Sequence, residues 1–345
     1  MDLKKTYREV KKTIDRLDFE KIWPGFSPLR FALYDNERCF FDGAFVEKTD
    51  EFCANTSIVY HGEQIAIWMV QEELEIPVLA SKMVHEMFHG YQQLQGWTCW
   101  PNETEALFRY EYSAGNLSLK IRENELLLRL MDSFDEDNFR ELLSHRKLRS
   151  EKYPYAFSYE SKVEEIEGTA NYVEWQVLRQ LDEQKAASMS DRMREQLTKP
   201  EFFFPIRISC YFTGALMVHA LRSAGLYSFD DAERPLILRI LRGTKPSDGE
   251  FPEKEAALRL VNEAISAYDA QTEAIVASAL EKNDVVLRGP FPLVTVNVYN
   301  ARRCRDCITS TYFLMYRDGA EDRILQGDFV IRMKDEKAID TVYRW

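Results

Sequence analysis

Residues 77–96 read PVLASKMVHEMFHGYQQLQG, and the way this stretch folds decides how the rest of the chain is arranged. Pro77 suits the first turn of a helix, where its missing N–H leaves nothing unpaired. Val78, Met83, Val84, Met87, Phe88, Tyr91 and Leu94 then recur at helical spacing up to Gly96, which commits one face to a core. Inside that helix lies His85-Glu86-Met87-Phe88-His89. Residues four apart share a helix face with Cβ atoms about 6 Å apart. Both imidazoles can therefore reach one metal ion at the ~2.0–2.1 Å bond length of zinc. Glu86 stands one residue further round, where it can take the proton of a metal-bound water. With five histidines in 345 residues, the pattern is expected by chance only about 0.007 times. The competing reading is two histidines facing solvent on an ordinary amphipathic helix.

Outward from this helix the pattern is α+β. Residues 1–22 read as a charged amphipathic helix closed by Pro24 and Gly25. Short β-type segments follow at 30–34, 39–46, 57–61 and 64–71, the last two joined by a turn at His61-Gly62-Glu63. Helical patterning then dominates, with helices expected at 102–131, 135–149, 159–184, 206–224, 231–242 and 253–282. Two loops interrupt it, 199–205 (KPEFFFP) and 244–252. After Lys282 the period changes. Residues 293–299 (LVTVNVY) alternate, and segments 312–316 and 324–333 flank an Arg317-Asp318-Gly319 turn, which predicts a C-terminal antiparallel β-meander. The chain thus divides into 1–282, with β structure in 1–75 and helices in 76–282, and a β-rich segment 283–345.

Composition narrows the function classes. A hydrophobic share of 45% with 21 Phe, 17 Tyr and 6 Trp excludes intrinsic disorder. The formal charge of −12 argues against nucleic acid or an anionic membrane as partner, since both need a positive surface. The opening MDLKKTYREVKK has no apolar core and does not read as a signal peptide. No apolar run approaches the ~20 residues of a membrane span. Six scattered cysteines then read as reduced thiols of a cytoplasmic protein. Cys304 and Cys307 have CxxC spacing without a second pair, which suits a hairpin better than a zinc knuckle.

Segment 163–175 reads VEEIEGTANYVEW. HEMFH followed by a helical EGTANYVE resembles the gluzincin zinc metallopeptidases, which implies a zincin-like fold, a zinc cofactor and hydrolysis of peptide or protein substrates. By the resemblance Glu167 is the third metal ligand, matching both the EGxAxYxE form of the zinc aminopeptidases and the ExxA form of thermolysin-like enzymes. Glu164 and Glu165 compete for that role, and the plain reading of the run is a solvated acidic face. Gly168 and Ala170 are small enough to let this helix approach the first closely. Ile166, Ala170, Val173 and Val177 form the apolar stripe beside Glu167. The 78 residues from His89 to Glu167 make 102–149 an insertion between the ligand helices.

Segment 208–221, ISCYFTGALMVHAL, is similar to the YxxGA helix of the zinc aminopeptidases, which implies Tyr211 as the donor to the reaction's oxyanion. A core tyrosine is the alternative, and His219 is either a second candidate donor or a satisfied core histidine. Asn171 occupies the place where thermolysin-like enzymes carry an aspartate supporting the metal ligands. Strand 64–71 is the candidate edge strand along which an extended substrate would lie, or else a buried central strand. Glu47 in GAFVE faintly resembles the segment that holds a free amino terminus. Specificity is expected from the insertion, the KPEFFFP loop and the β-rich segment. The expected function is a zinc-dependent peptidase with Glu86 as general base. The rival from another class is a regulatory or interaction protein that holds zinc without turnover.

Overall fold

The computed structural model describes residues 2–72, 74–229 and 234–345. Its architecture is α+β: a small N-terminal mixed sheet, a helical body and a C-terminal antiparallel sheet. Helix α1 (Leu3–Ile14) starts at Asp2, whose carboxylate accepts from the Lys5 N–H at 3.0 Å, and buries Leu3, Tyr7, Val10 and Ile14 along one face. The single helix expected over 1–22 breaks at 15–17, because Asp18 caps a new start for α2 (Phe19–Ile22).

Strands β1 (Phe31–Tyr34), β2 (Cys39–Phe41), β3 (Ala44–Val46), β4 (Thr56–Tyr60) and β5 (Glu63–Met69) pair in the order β3-β2-β1-β5-β4. Only β1 and β5 run parallel. Segment 39–46 folds back on itself because Asp42 and Gly43 take left-handed backbone. The strand expected as an edge, β5, is interior: Gln64–Ile67 is buried without interruption, the pattern of a strand covered on both faces. The edge strands of this sheet are β3 and β4.

Helix α3 (Ile76–Leu94) packs against β4, β5 and α1. The approach is close enough that a Cβ on Gly90 would stand 2.4 Å from a Leu29 methyl and 2.6 Å from the Ser57 hydroxyl. The body continues with α4 (Glu103–Arg109), α5 (Ala114–Asp132), α6 (Glu136–Lys152) and α7 (Pro154–Val163). A π-helical turn at Glu164–Gly168 leads into α8 (Thr169–Leu181). Then come α9 (Glu183–Thr198), α10 (Ile206–Ser223), α11 (Leu236–Ile240) and α12 (Lys254–Lys282). The helix expected over 102–131 is split at 110–113, where Ser113 caps α5 at 3.3 Å. Helix α9 has no counterpart in the sequence reading; the Asp182 carboxylate caps it through the Gln184 and Lys185 N–H groups. Of the helix expected over 231–242, residues 231–233 lie outside the described residues, and α11 accounts for 236–240.

The C-terminal sheet contains β6 (Val285–Val296), β7 (Arg302–Cys304), β8 (Cys307–Ser310), β9 (Phe313–Asp318), β10 (Glu321–Gln326), β11 (Phe329–Met333) and β12 (Ala338–Arg344). It is antiparallel, in the order β10-β9-β6-β12-β11-β8-β7, with β6 long enough to pair with both β12 and β9. Segment 324–333 forms two strands, divided at Gly327 where φ is +130°. Cys304 and Cys307 face each other across the β7–β8 hairpin as free thiols. The sheet rests on α12 through Val276 and Ala279. Among the described residues, no helix is long and apolar enough to cross a membrane.

Segment 102–149 has a clear structural task. Lys120 and Glu123 of α5, Arg146 and Arg149 of α6, Glu160 of α7 and Glu164 of the π turn form a buried network of three cations and three carboxylates. Lys120 Nζ lies 2.7 Å from Glu160 Oε2, Arg149 Nη1 2.8 Å from Glu160 Oε1, and Arg149 Nε 2.9 Å from Glu123. Arg146 bonds Glu164, whose Oε1 also accepts from Thr213 at 2.7 Å. Burial alone would raise the Glu160 pKa, but Arg149 and Lys120 outweigh it and hold the carboxyl well below the usual range. Arg146 acts likewise on Glu164, which is also lowered.

A carboxyl depressed on folding stabilises the protein above its unfolded pKa of ~4.3 and withdraws that support as pH falls towards the folded value. Glu165 shifts the other way, burial outweighing Arg234, and does not share in the loss. Urea unfolding between pH 3 and 7 should therefore show stability falling below about pH 4.5. At pH 7, Glu160→Gln should cost about 3–5 kcal/mol and should flatten the acid slope. An unchanged slope would place the acid sensitivity elsewhere.

Candidate metal centre

His85 and His89 project from one face of α3, and both are buried. Helix α8 packs along α3, and the π turn at its start brings in Glu167, also buried. The inserted residue of a π turn rotates the following side chains out of α-helical phase. In this turn Glu164, Glu165 and Glu167 all find different partners. The three donor atoms converge: His85 Nε2 and His89 Nε2 are 3.2 Å apart, Glu167 Oε2 is 3.2 Å from His89 Nε2, and 3.7 Å from His85 Nε2. Tetrahedral zinc with ~2.0–2.1 Å bonds separates its ligand atoms by about 3.3 Å. The donor triangle fits one such ion. No fourth His, Cys or carboxylate joins it among the described residues.

The competitors for the third position are accounted for. Glu164 is bound to Arg146 and Thr213. Glu165 is bound to Arg234 at 2.6 Å and to the Leu236 N–H at 3.0 Å. Both are buried, so the run is not a solvated acidic face. Gly168 approaches a different helix from the one expected: a Cβ there would lie 2.4 Å from Gly214 Cα of α10. Its missing side chain lets α10, and with it Tyr211, close on the cluster of His85, His89 and Glu167.

Each ligand is oriented by a further group. His89 Nδ1 lies 2.8 Å from Gln92 Oε1, while the Gln92 amide nitrogen donates to Ile166 O at 2.8 Å and Thr169 Oγ1 at 2.9 Å. With its nitrogen committed, Gln92 offers only its oxygen to His89. The His89 proton is thereby held on Nδ1 and Nε2 is left free for a metal. Glu174 Oε2 stands 3.2 Å from His85 Nδ1, oblique to a full hydrogen bond, and its other oxygen is 3.4 Å from Lys82 Nζ. Asn171, expected in this supporting role, instead donates to Tyr211 O at 3.2 Å. Its side chain braces α10 and not a histidine.

The electrostatics call for a cation at this point. Burial opposes protonation of His85, but Glu167 and Glu174 outweigh it and push its pKa up to about 10. His89 is raised in the same way, chiefly by Glu167. Burial would raise Glu167, yet His89, His85 and Arg207 carry it well below the usual range. Glu86 is raised by burial, with the two histidines pulling against it. Positive charge is favoured here either as protons on the imidazoles or as a metal ion in their place.

These residues open into a cleft of about 660 Å³. Glu86 lines it, as does Tyr211, whose ring lies nearly parallel to His85 with centroids 6.4 Å apart. Arg207, four residues before Tyr211 on α10, bridges the site. Its Nη2 donates to Glu167 Oε1 at 2.6 Å and to Tyr211 Oη at 3.3 Å, and its Nη1 bonds Glu103 of α4. From the C-terminal sheet, Tyr299 places its hydroxyl 3.2 Å from that of Tyr211. His219 is absent from the cleft and packs edge-on against Trp175. Glu47 lies on a separate surface groove with Arg38 and Lys48. Neither the KPEFFFP loop nor residues 102–149 line the cleft, and the β-rich segment contributes Tyr299 alone. The edge strand β4 contributes Thr56.

Comparison with known proteins adds no name: no family model, curated protein or solved structure matches the chain. The residues that sequence reasoning missed are Gln92, Glu174, Arg207, Glu103 and Tyr299. Two carried a signal. Gln92 follows His89 by three residues, and Glu174 follows Glu167 by seven, so each shares a helix face with a ligand.

Supporting groups of this kind are worth about 10–100-fold in metal affinity. Chelator competition should show zinc binding weakened to that extent in Gln92→Leu and Glu174→Gln, and nearly unchanged in Asn171→Ala. Equal losses in all three variants would overturn the assignment of supporting roles.

Proposed function

We propose that this protein is a zinc-dependent hydrolase, and most specifically a peptidase. The observation that carries the reading is the convergence of His85, His89 and Glu167 into a triangle of metal-ligand dimensions, with Glu86 and Tyr211 facing the same cleft. Three protein ligands with a fourth position open to a cleft is the pattern of catalytic zinc, whereas structural zinc closes its shell with four. When bound, zinc supplies Lewis acidity, lowering the pKa of a water and polarising a carbonyl.

The chain's own residues do the rest. Glu86 carries a carboxylate with no hydrogen-bond partner in the protein among the described residues, directly after His85 and three residues before His89. It accepts the proton of the attacking water and returns it to the leaving amine. Tyr211 is a neutral donor, because burial first and the Glu167 charge second keep its hydroxyl pKa well above the ordinary value. Arg207 has no acceptor, so it can only donate into Tyr211 Oη. The Tyr211 proton is then free to point outward, at Tyr299 Oη in this structure or at a developing oxyanion when substrate is bound.

An extended substrate also has a place to lie. Among the described residues, β4 pairs with β5 alone, so its outer edge offers main-chain hydrogen bonds beside the cleft. The cleft follows α3 on both sides of the histidine pair, from Val78 and Lys82 to Gln93. That is 15 residues of helix, or about 22 Å, room for about six or seven residues of extended chain.

The test uses a mixed peptide library read by mass spectrometry. Glu86→Gln should keep its zinc and lose cleavage. Tyr211→Phe should keep its zinc and lose about 10²–10³-fold in kcat. If wild type and Glu86→Gln give the same products, the peptidase reading fails. Equal zinc content in wild type and His85→Ala would remove the metal centre itself.

A further inference from the structure

The cleft is electrically lopsided. Its lining lysines and arginine are Lys82, Lys185 and Arg192: Lys82 stands three residues before His85 on α3, and Lys185 and Arg192 share one face of α9, with Lys185 bonded to Glu75 just before α3. Past His89, the lining residues Gln93 and Trp100 carry no charge. Helix α9 builds this asymmetry. Lys185, Ser188, Met189 and Arg192 fall at i, i+3, i+4 and i+7, so one face of the helix forms a wall of the cleft. Val78 and Leu178 supply its apolar floor. The wall contributed by α9 brings two cations and no carboxylate into the cleft.

The three are available to a ligand to different degrees. Lys82 Nζ reaches Glu174 at 3.4 Å, and Lys185 bonds Glu75. Lys82 is held by a buried carboxylate and stays with it, whereas the Lys185–Glu75 pair is open to solvent and exchanges partners at little cost. Arg192 is exposed and pairs with no carboxylate among the described residues. Its guanidinium can take a carboxylate through two parallel N–H donors.

We propose that this wall forms an acidic-side-chain subsite: the cleft takes peptides carrying Glu or Asp on one side of the bond to be cut. The inference rests on the peptidase reading and adds the substrate class.

The test separates this inference from the reading on which it rests. Zinc-loaded, full-length Glu86→Gln protein is titrated with fluorescent octapeptide pools, acetylated and amidated at their ends, that differ only in carrying Glu or Gln at a fixed position. The Glu pools should bind about fivefold more tightly. The preference should vanish at 0.5 M salt and in the Glu86→Gln, Arg192→Glu double variant. Equal binding of Glu and Gln pools, or a preference that survives Arg192→Glu, overturns the subsite. Wild-type cleavage products are read in parallel, where acid should be enriched on one side of the cut only. Cleavage with no acidic preference sinks the subsite and leaves the peptidase. Acid-selective binding with no cleavage by wild type sinks the peptidase and leaves the subsite.

Discussion

Five carboxylates buried along one helical run set the terms for this fold: Glu160, Glu164, Glu165, Glu167 and Glu174. An ionised carboxylate away from water is tolerable only when paired and hydrogen-bonded, so each must draw a cation from another element. Glu160 takes Lys120 of α5 and Arg149 of α6, and Glu164 takes Arg146 of α6. Glu165 takes Arg234, just before α11. Glu174 takes Lys82 of α3. The pairs are directional as well as costly to break, so they fix the rotation and height of the run against the elements around it. Segment 102–149 does not line the cleft, yet it holds Glu167 in register by gripping Glu164 and Glu160, one and two turns away.

Close backbone approach completes the placement. Gly168 and Gly214 let α10 meet the π turn at a distance no other residue pair would permit. Tyr211 and Arg207 then reach the cluster from α10, and Arg207 carries the connection on to Glu103 of α4. Tyr299 closes the chain of contacts from the C-terminal sheet. Its turn is pinned through the Asn297 N–H on the Ser310 hydroxyl and through Asn300 bonded to Thr311. The β-rich segment thereby belongs to the site through a single residue held on a braced turn.

What the sequence made legible follows from how local each decision is. HEMFH is decided within one helix, and its two histidines stand together as the spacing required. The α+β layout was readable from the change of period near Lys282. The third ligand was harder. Three glutamates lie within four residues, and the choice among them depends on which distant cation reaches which carboxylate. Helical periodicity also fails at a π turn, which departs from 3.6 residues per turn at that point. Asn171 was expected in the supporting role by resemblance alone, one turn on from Glu167. Two turns along, Glu174 is the residue that meets His85, since α8 runs beside α3 and not across it. The interior position of β5, the wall made by α9 and the arrival of Tyr299 are tertiary facts with no local signature.

Glu167 differs from its neighbours on the run in one respect. Its Oε1 is met by an arginine, as theirs are met by arginine or lysine, but its Oε2 faces two imidazoles. Arginine stays protonated at any physiological pH, whereas imidazole changes charge near neutrality. The fold thus supplies permanent cations wherever a carboxylate is only structural. It sets imidazoles, whose charge can change, against the run only where Glu167 and Glu174 meet the cleft. Protons on His85 and His89 satisfy that place, and a divalent ion could take their part. Because Arg207 occupies Oε1, Glu167 presents only its other oxygen to the histidines and the cleft. The constraint that makes the helix foldable, one cation for every buried carboxylate, is the same one that makes the site.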